Sequence, residues 1–170
     1  MSDVNLCIDM NFLTLQHENI GYVKKEHLMS AHVSHLRQLC CMLTDQPIQA
    51  ASALITQGNQ TLARTFSTVT ENCDPTAHAG INAIRQAAKK LNTRHLNDCT
   101  LYLSHEPCLM CYQAAKSAMI ANIYFVLADK TFGVFTQHHH LALEKSHHHT
   151  LTGHGPYESL ASTTSNRDLL

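Results

Sequence analysis

Two short motifs constrain this chain more than anything else in it. The first runs Asp74-Pro75-Thr76-Ala77-His78-Ala79-Gly80, and the second Glu106-Pro107-Cys108-Leu109-Met110-Cys111, with 29 residues between His78 and Cys108. One histidine and two cysteines at C-x-x-C spacing form a ligand set for a single tetrahedral zinc, and three protein ligands leave the fourth position open, as in a catalytic rather than a structural site. Each motif contains a proline and then enters an apolar-periodic run, which predicts that the ligands sit in the first turns of two helices. Unpaired N–H groups and the positive ends of the helix dipoles then favour thiolates over thiols.

The remaining segments read as alternating strands and helices. Residues 1–22 are an arm with partly alternating apolar residues. From Lys24 to Leu43, Leu28, Val33, Leu36, Leu39 and Leu43 recur at helical spacing. His27, His32 and His35 read there as surface polar positions. Two short apolar runs, 50–56 and 62–68, flank Gln57-Gly58-Asn59-Gln60, a hairpin. A helix is expected from Pro75 to about Leu91, with Arg85, Lys89, Lys90 and Arg94 on its solvated side. Cys99–His105 alternates as a strand, a helix follows from Cys108 to about Met119, and 123–127 reads as a buried strand. Strand, helix and strand in that order form a βαβ crossover with the ligands at the strand's carboxyl end, where open α/β sheets bind their substrates. Cys73 reads as a packed, unreactive thiol.

The two motifs resemble those of the zinc-dependent nucleobase deaminases, whose pattern is H-x-E followed by P-C-x-x-C. The similarity is closest to the branch of guanine deaminases and tRNA adenosine deaminases, and it spans roughly Gln49 to Asp129. It implies a three-layer α/β/α sandwich with a mixed central sheet, one Zn2+ per chain on His78, Cys108 and Cys111, and hydrolytic deamination of a small base or nucleoside, guanine-type first. It also implies a homodimer, and substrate contacts at Ser67 and Ala79. Gly80 stands where the family's glutamate carries protons from the attacking water to the ring nitrogen and to the leaving ammonia. Glycine does none of this, so the zinc site reads as intact and the chain as nearly inactive. The alternative is a silent zinc-binding module for dimerisation or base sensing. Glu106 is the candidate surrogate acid or base, against a structural role beside the ligand strand's proline. Ser67 occupies the position of the family's base-binding asparagine, and a hydroxyl replaces only part of an amide's paired donor and acceptor.

Composition bounds the rest. The chain has 170 residues, 12 Lys and Arg, 13 Asp and Glu, and a net charge of −1. That near-neutral balance argues against nucleic acid as partner. Its apolar runs are too short to span a bilayer, the N-terminus is not patterned as a signal peptide, and seven cysteines with one C-x-x-C suit a reducing cytoplasm. The expected organisation is an arm at 1–22, a deaminase-like domain at 23–135, and a loosely ordered His-rich segment at 136–170. In that last segment, His138-His139-His140 and His147-His148-His149 are candidates for a second metal site through His140, Glu144 and His148, against exposed low-complexity histidine. The resemblance to guanine deaminases, which close the base pocket with a C-terminal aromatic, implies that role for Tyr157.

Overall fold

The computed structural model describes residues 30–44, 51–138 and 151–157. The N-terminal arm, His27 and the histidines from 139 to 149 lie outside them. Ten elements follow in order: α1 (Ser30–Thr44), β1 (Ser52–Gln57), β2 (Gln60–Phe66), α2 (Val69–Asn72), α3 (Ala79–Leu91), β3 (Cys99–His105), α4 (Leu109–Ser117), β4 (Asn122–Leu127), α5 (Val134–Gln137) and β5 (Thr152–His154).

The strands form one mixed sheet in the order β2-β1-β3-β4-β5. β1 is antiparallel to both β2 and β3, while β3, β4 and β5 run parallel. Successive side chains of a strand point to opposite faces, so a covered sheet needs apolar residues at both parities. β4 meets that demand: Ile123 and Phe125 pack with α3 and α4, and Tyr124 and Val126 pack with α1. In β1, Ala53 and Ile55 face one way and Leu54 the other. The result is a three-layer α/β/α sandwich. The tight hairpin turns on Gly58, whose φ of +54° is the left-handed region where a Cβ is disfavoured.

Four expectations change. The helix expected from Pro75 begins at Ala79 instead, because Asp74 captures the backbone. Its Oδ1 accepts the Thr76 N–H at 2.8 Å and the Thr76 hydroxyl at 2.7 Å, an Asx turn that competes with helix. The short α2 was not expected; Cys73 ends it in a left-handed conformation and is exposed, not packed. The reading of 136–170 as loosely ordered does not hold for residues 151–157. β5 hydrogen-bonds along β4 and so covers the sheet edge, with Leu151 and Tyr157 buried. Tyr157 lies with Leu36, Leu39 and Tyr102 on the α1 face, opposite the core shared by α3 and α4. It is a core residue rather than a closing wall.

His32 and His35 are also more than surface positions. His32 stacks on Tyr124 at 4.4 Å, and His154 stacks on the same ring at 4.4 Å. His32 Nδ1 lies 2.7 Å from the Tyr102 hydroxyl, and the His35 ring is 5.2 Å from that of Tyr102.

Candidate metal centre

The sheet delivers its ligands through two helix starts. His78 is the N-cap of α3 and Cys108 the N-cap of α4, both with extended backbone, and Cys111 falls within the first turn of α4. Neither cap residue bonds its own helix through its side chain. That leaves both side chains free for a metal, where a Ser or Asp would have been spent on capping. Asn82 holds the α3 start in place. Its Nδ2 donates to the Phe66 carbonyl, the Thr68 hydroxyl and the Ala77 carbonyl. Thr65 adds a hydroxyl bond to the Ala79 carbonyl at 2.8 Å. The other side is fixed by a bridge between Cys108 and Gly133 and by the Val134 N–H on the Pro107 carbonyl.

His78 Nδ1 lies 3.6 Å from the Cys108 sulfur and 3.8 Å from the Cys111 sulfur. Zinc–nitrogen bonds of 2.0–2.1 Å and zinc–sulfur bonds of 2.3 Å in a tetrahedron give N···S edges of roughly 3.6 Å. The donors therefore already stand at the separations of a zinc tetrahedron, and they are the one such group among the described residues. Their electrostatics fit as well. The Cys111 thiol donates to Cys108 and, with backbone N–H groups from Cys111 and Met110 and the nearby His78, draws the Cys108 thiol down to about 5 against the cost of burial. The same bond, with burial, pushes Cys111 up. The pair alone thus holds one negative charge, and a divalent cation is what lets both sulfurs ionise.

Gly80 sits in the first turn of α3 and is buried. A Cβ there would lie 3.4 Å from Leu103 Cδ2 and 3.5 Å from the Cys111 sulfur, ordinary contacts. A side chain at 80 therefore starts beside the metal ligands and has room to exist. Ser67 follows β2, and its N–H bonds the Ala51 carbonyl at 2.8 Å. Its hydroxyl makes no hydrogen bond among the described residues, so it is available to a ligand. Ala79 is the first residue of α3, beside His78.

Of the two readings of Glu106, its bonding fits the structural one. It is buried, and its carboxylate accepts the N–H groups of Asp129, Phe135 and Thr136 and the Thr136 hydroxyl. Both oxygens are committed to the turn that leads into α5. Gly133 is required beside it, since a Cβ there would fall 2.4 Å from the Glu106 carboxyl carbon. Sequence reasoning missed Asn82, Thr65 and Thr136. Only Asn82 carried a signal, as a poor helix former placed where a helix begins.

Residues 23–127 match the family model of the cytidine and deoxycytidylate deaminase zinc-binding region. The chain belongs to that family. A tRNA-specific adenosine deaminase of Aquifex aeolicus is 38% identical over 81 residues, 48% of this chain and 54% of that protein. A guanine deaminase of Bacillus subtilis is 47% identical over 73 residues, 43% of this chain and 47% of its own length. The chain thus spans about half the length of these curated relatives. Among solved structures, one from work on A-to-I editing by tRNA:A34 deaminases superposes with a TM-score of 0.64 at 26% identity, over 76% of this chain and 98% of that one. The guanine deaminase structure from Bacillus subtilis gives 0.52 at 24% identity, over 81% and 96%, a likeness of fold. Zinc is the cofactor of this family, and His78, Cys108 and Cys111 could hold it. No helix among the described residues is long and apolar enough to cross a membrane.

Proposed function

We propose that this chain is a zinc-holding deaminase-family protein that binds a purine base or nucleoside, guanine-type first, and turns it over very slowly. The observation that carries this reading is at Gly80. The direction a side chain would take there leads past the Cys111 sulfur, and glycine leaves that space without an acid. Three of the described carboxylates are committed elsewhere: Glu106 is fully bonded, Asp74 is held by Thr76, and Asp129 Oδ1 accepts the N–H groups of Thr131 and Phe132.

Hydrolytic deamination adds water across the amine-bearing ring carbon, then expels ammonia and leaves a carbonyl. Zinc held by the three ligands supplies Lewis-acid activation of the water. The chain must supply two proton movements, one to the ring nitrogen and one to the departing amine. In this reading His78, Cys108 and Cys111 would hold the metal, Ser67 offers one hydroxyl to the base, and position 80, as glycine, moves no proton.

The decisive experiment compares ammonia release by the zinc-loaded chain and by Gly80→Glu on guanine, other bases and nucleosides, and adenosine within a tRNA anticodon stem-loop. We expect Gly80→Glu to gain at least 10²-fold on guanine, the lower end for one positioned acid/base group. Silence in both forms with zinc bound favours the second reading, a silent dimerisation or sensing module, for which Gly80 and Ser67 both speak. The RNA arm belongs in the test because the net charge of −1 is unevenly placed: the described residues carry eight Lys and Arg against five Asp and Glu. We further propose a homodimer in the cytoplasm, with light scattering as the check on assembly.

A further inference from the structure

Ser67 leaves a gap in recognition, and the sheet places an imidazole where it can fill it. β1 pairs Ser52 with Phe66 of β2 and Ala53 with Leu103 of β3. One step further along the first register and two along the second set Ala51 between Ser67 and His105, and the Ser67 N–H on the Ala51 carbonyl bears out the first half. Ser67, Ala51 and His105 therefore form one rim at the ends of three adjacent strands. The Thr65 and Thr68 bonds to Ala79 and Ala77 hold the α3 start against that rim. Strand alternation puts His105 on the face of Leu103, the residue that position 80 looks onto.

The bonds around Ser104 assign the imidazole its tautomer. The Ser104 hydroxyl oxygen accepts the Ser52 N–H at 2.9 Å and lies 2.9 Å from His105 Nδ1. Its hydrogen has no other acceptor among the described residues, so we assign it to Nδ1 and the ring proton to Nε2. Nε2 itself has no hydrogen-bond partner among the described residues. Burial holds the ring below the ordinary histidine range, partly offset by the Asp129 carboxylate, so it is neutral at pH 7. The half-buried His105 thus presents a single oriented N–H at the carboxyl end of β3, three residues before the ligand Cys108.

We propose that His105 contacts the bound base, donating from Nε2 to a ring nitrogen or carbonyl oxygen and supplying the second hydrogen bond that a lone hydroxyl at position 67 cannot make. This rests on the purine-binding reading above. It concerns recognition only and adds no proton carrier to the reaction.

The test is guanine binding to zinc-loaded protein by equilibrium dialysis, which needs no turnover. His105→Ala should bind roughly tenfold more weakly, the worth of one hydrogen bond whose acceptor is left unpaired. His105→Gln keeps an N–H and should stay within about threefold of the starting protein, whereas a merely structural role would not distinguish the two by that group. One zinc per chain and an unchanged far-ultraviolet spectrum certify each variant's fold. Equal binding by His105→Ala overturns this proposal alone. No guanine binding by either the zinc-loaded chain or Gly80→Glu overturns the purine reading and this proposal with it.

Discussion

At the scale of single residues, the chemistry separates into an occupied carboxylate and an absent one. Glu106 is buried and satisfies three backbone N–H groups at once. Truncation to alanine strands those donors inside the protein, at about 1–3 kcal/mol each. Glu106→Ala should therefore lower the unfolding free energy in urea by about 3 kcal/mol or more. Glu106→Gln, which keeps one carbonyl oxygen, should lose less. A change below about 1 kcal/mol for alanine would show that the turn into α5 is not anchored there. At Gly80 the stability effect runs the other way. Replacing an early-helix glycine relieves backbone entropy of up to about 1 kcal/mol, less near a terminus. The contacts a Cβ would meet there are ordinary. Gly80→Glu should fold at least as well as the starting chain in the absence of metal, and its gain should be read in ammonia release.

At the scale of elements, the union of α1 with the sheet depends on neutral histidines. His32 and His154 sandwich Tyr124, and His35 leans on Tyr102. All three are held below the ordinary histidine range. Burial is the main cause for each, with repulsion from His35 acting on His32 and from His32 acting on His154. Among the described residues no carboxylate contributes, and the other titratable neighbours are Tyr102, Tyr124 and Tyr157, themselves pushed up by burial and so neutral. The unfolded chain then binds more protons than the folded one below about pH 6.5, so stability rises with pH in that range. Docking of α1 should be firmest above pH 6.5 and weaken as pH falls through it. Amide exchange, corrected for intrinsic rates, should show faster opening of 32–42 at pH 5 than at pH 7.5, and His32→Phe should reduce the difference. Equal protection at both values would sink this account.

At the scale of the whole molecule, zinc ties the start of α3, through His78, to the start of α4, through Cys108 and Cys111. Binding to the folded triad and not to the unfolded chain adds stability by mass action. Purified protein should carry about one zinc per chain, and a strong chelator should lower its melting temperature. His78→Ala or Cys108→Ala should abolish that metal and the chelator effect together. Metal in excess of one that survives these substitutions would point to His140, Glu144 and His148, which lie outside the described residues. A folded, zinc-free protein indifferent to chelator would refute the centre.

What the sequence determined by itself was the chemistry and its local frame. His78, Cys108 and Cys111 were legible because ligand type and spacing are properties of the chain, and the alternation over 99–105 and the continuous apolar run over 123–127 are patterns that side-chain burial enforces. The absence at Gly80 was equally plain, since a missing carboxylate needs no coordinates. Tertiary structure decided what depends on partners distant in the chain. Glu106 became structural because Thr136, thirty residues away, brings N–H and hydroxyl donors to it. β5 formed in a Ser-, Thr- and Gly-rich tail because β4 offered an unpaired edge, a reward that local propensity does not register. His105 gained its meaning the same way: three strand ends had to align before one imidazole, one serine and the metal ligands shared a rim.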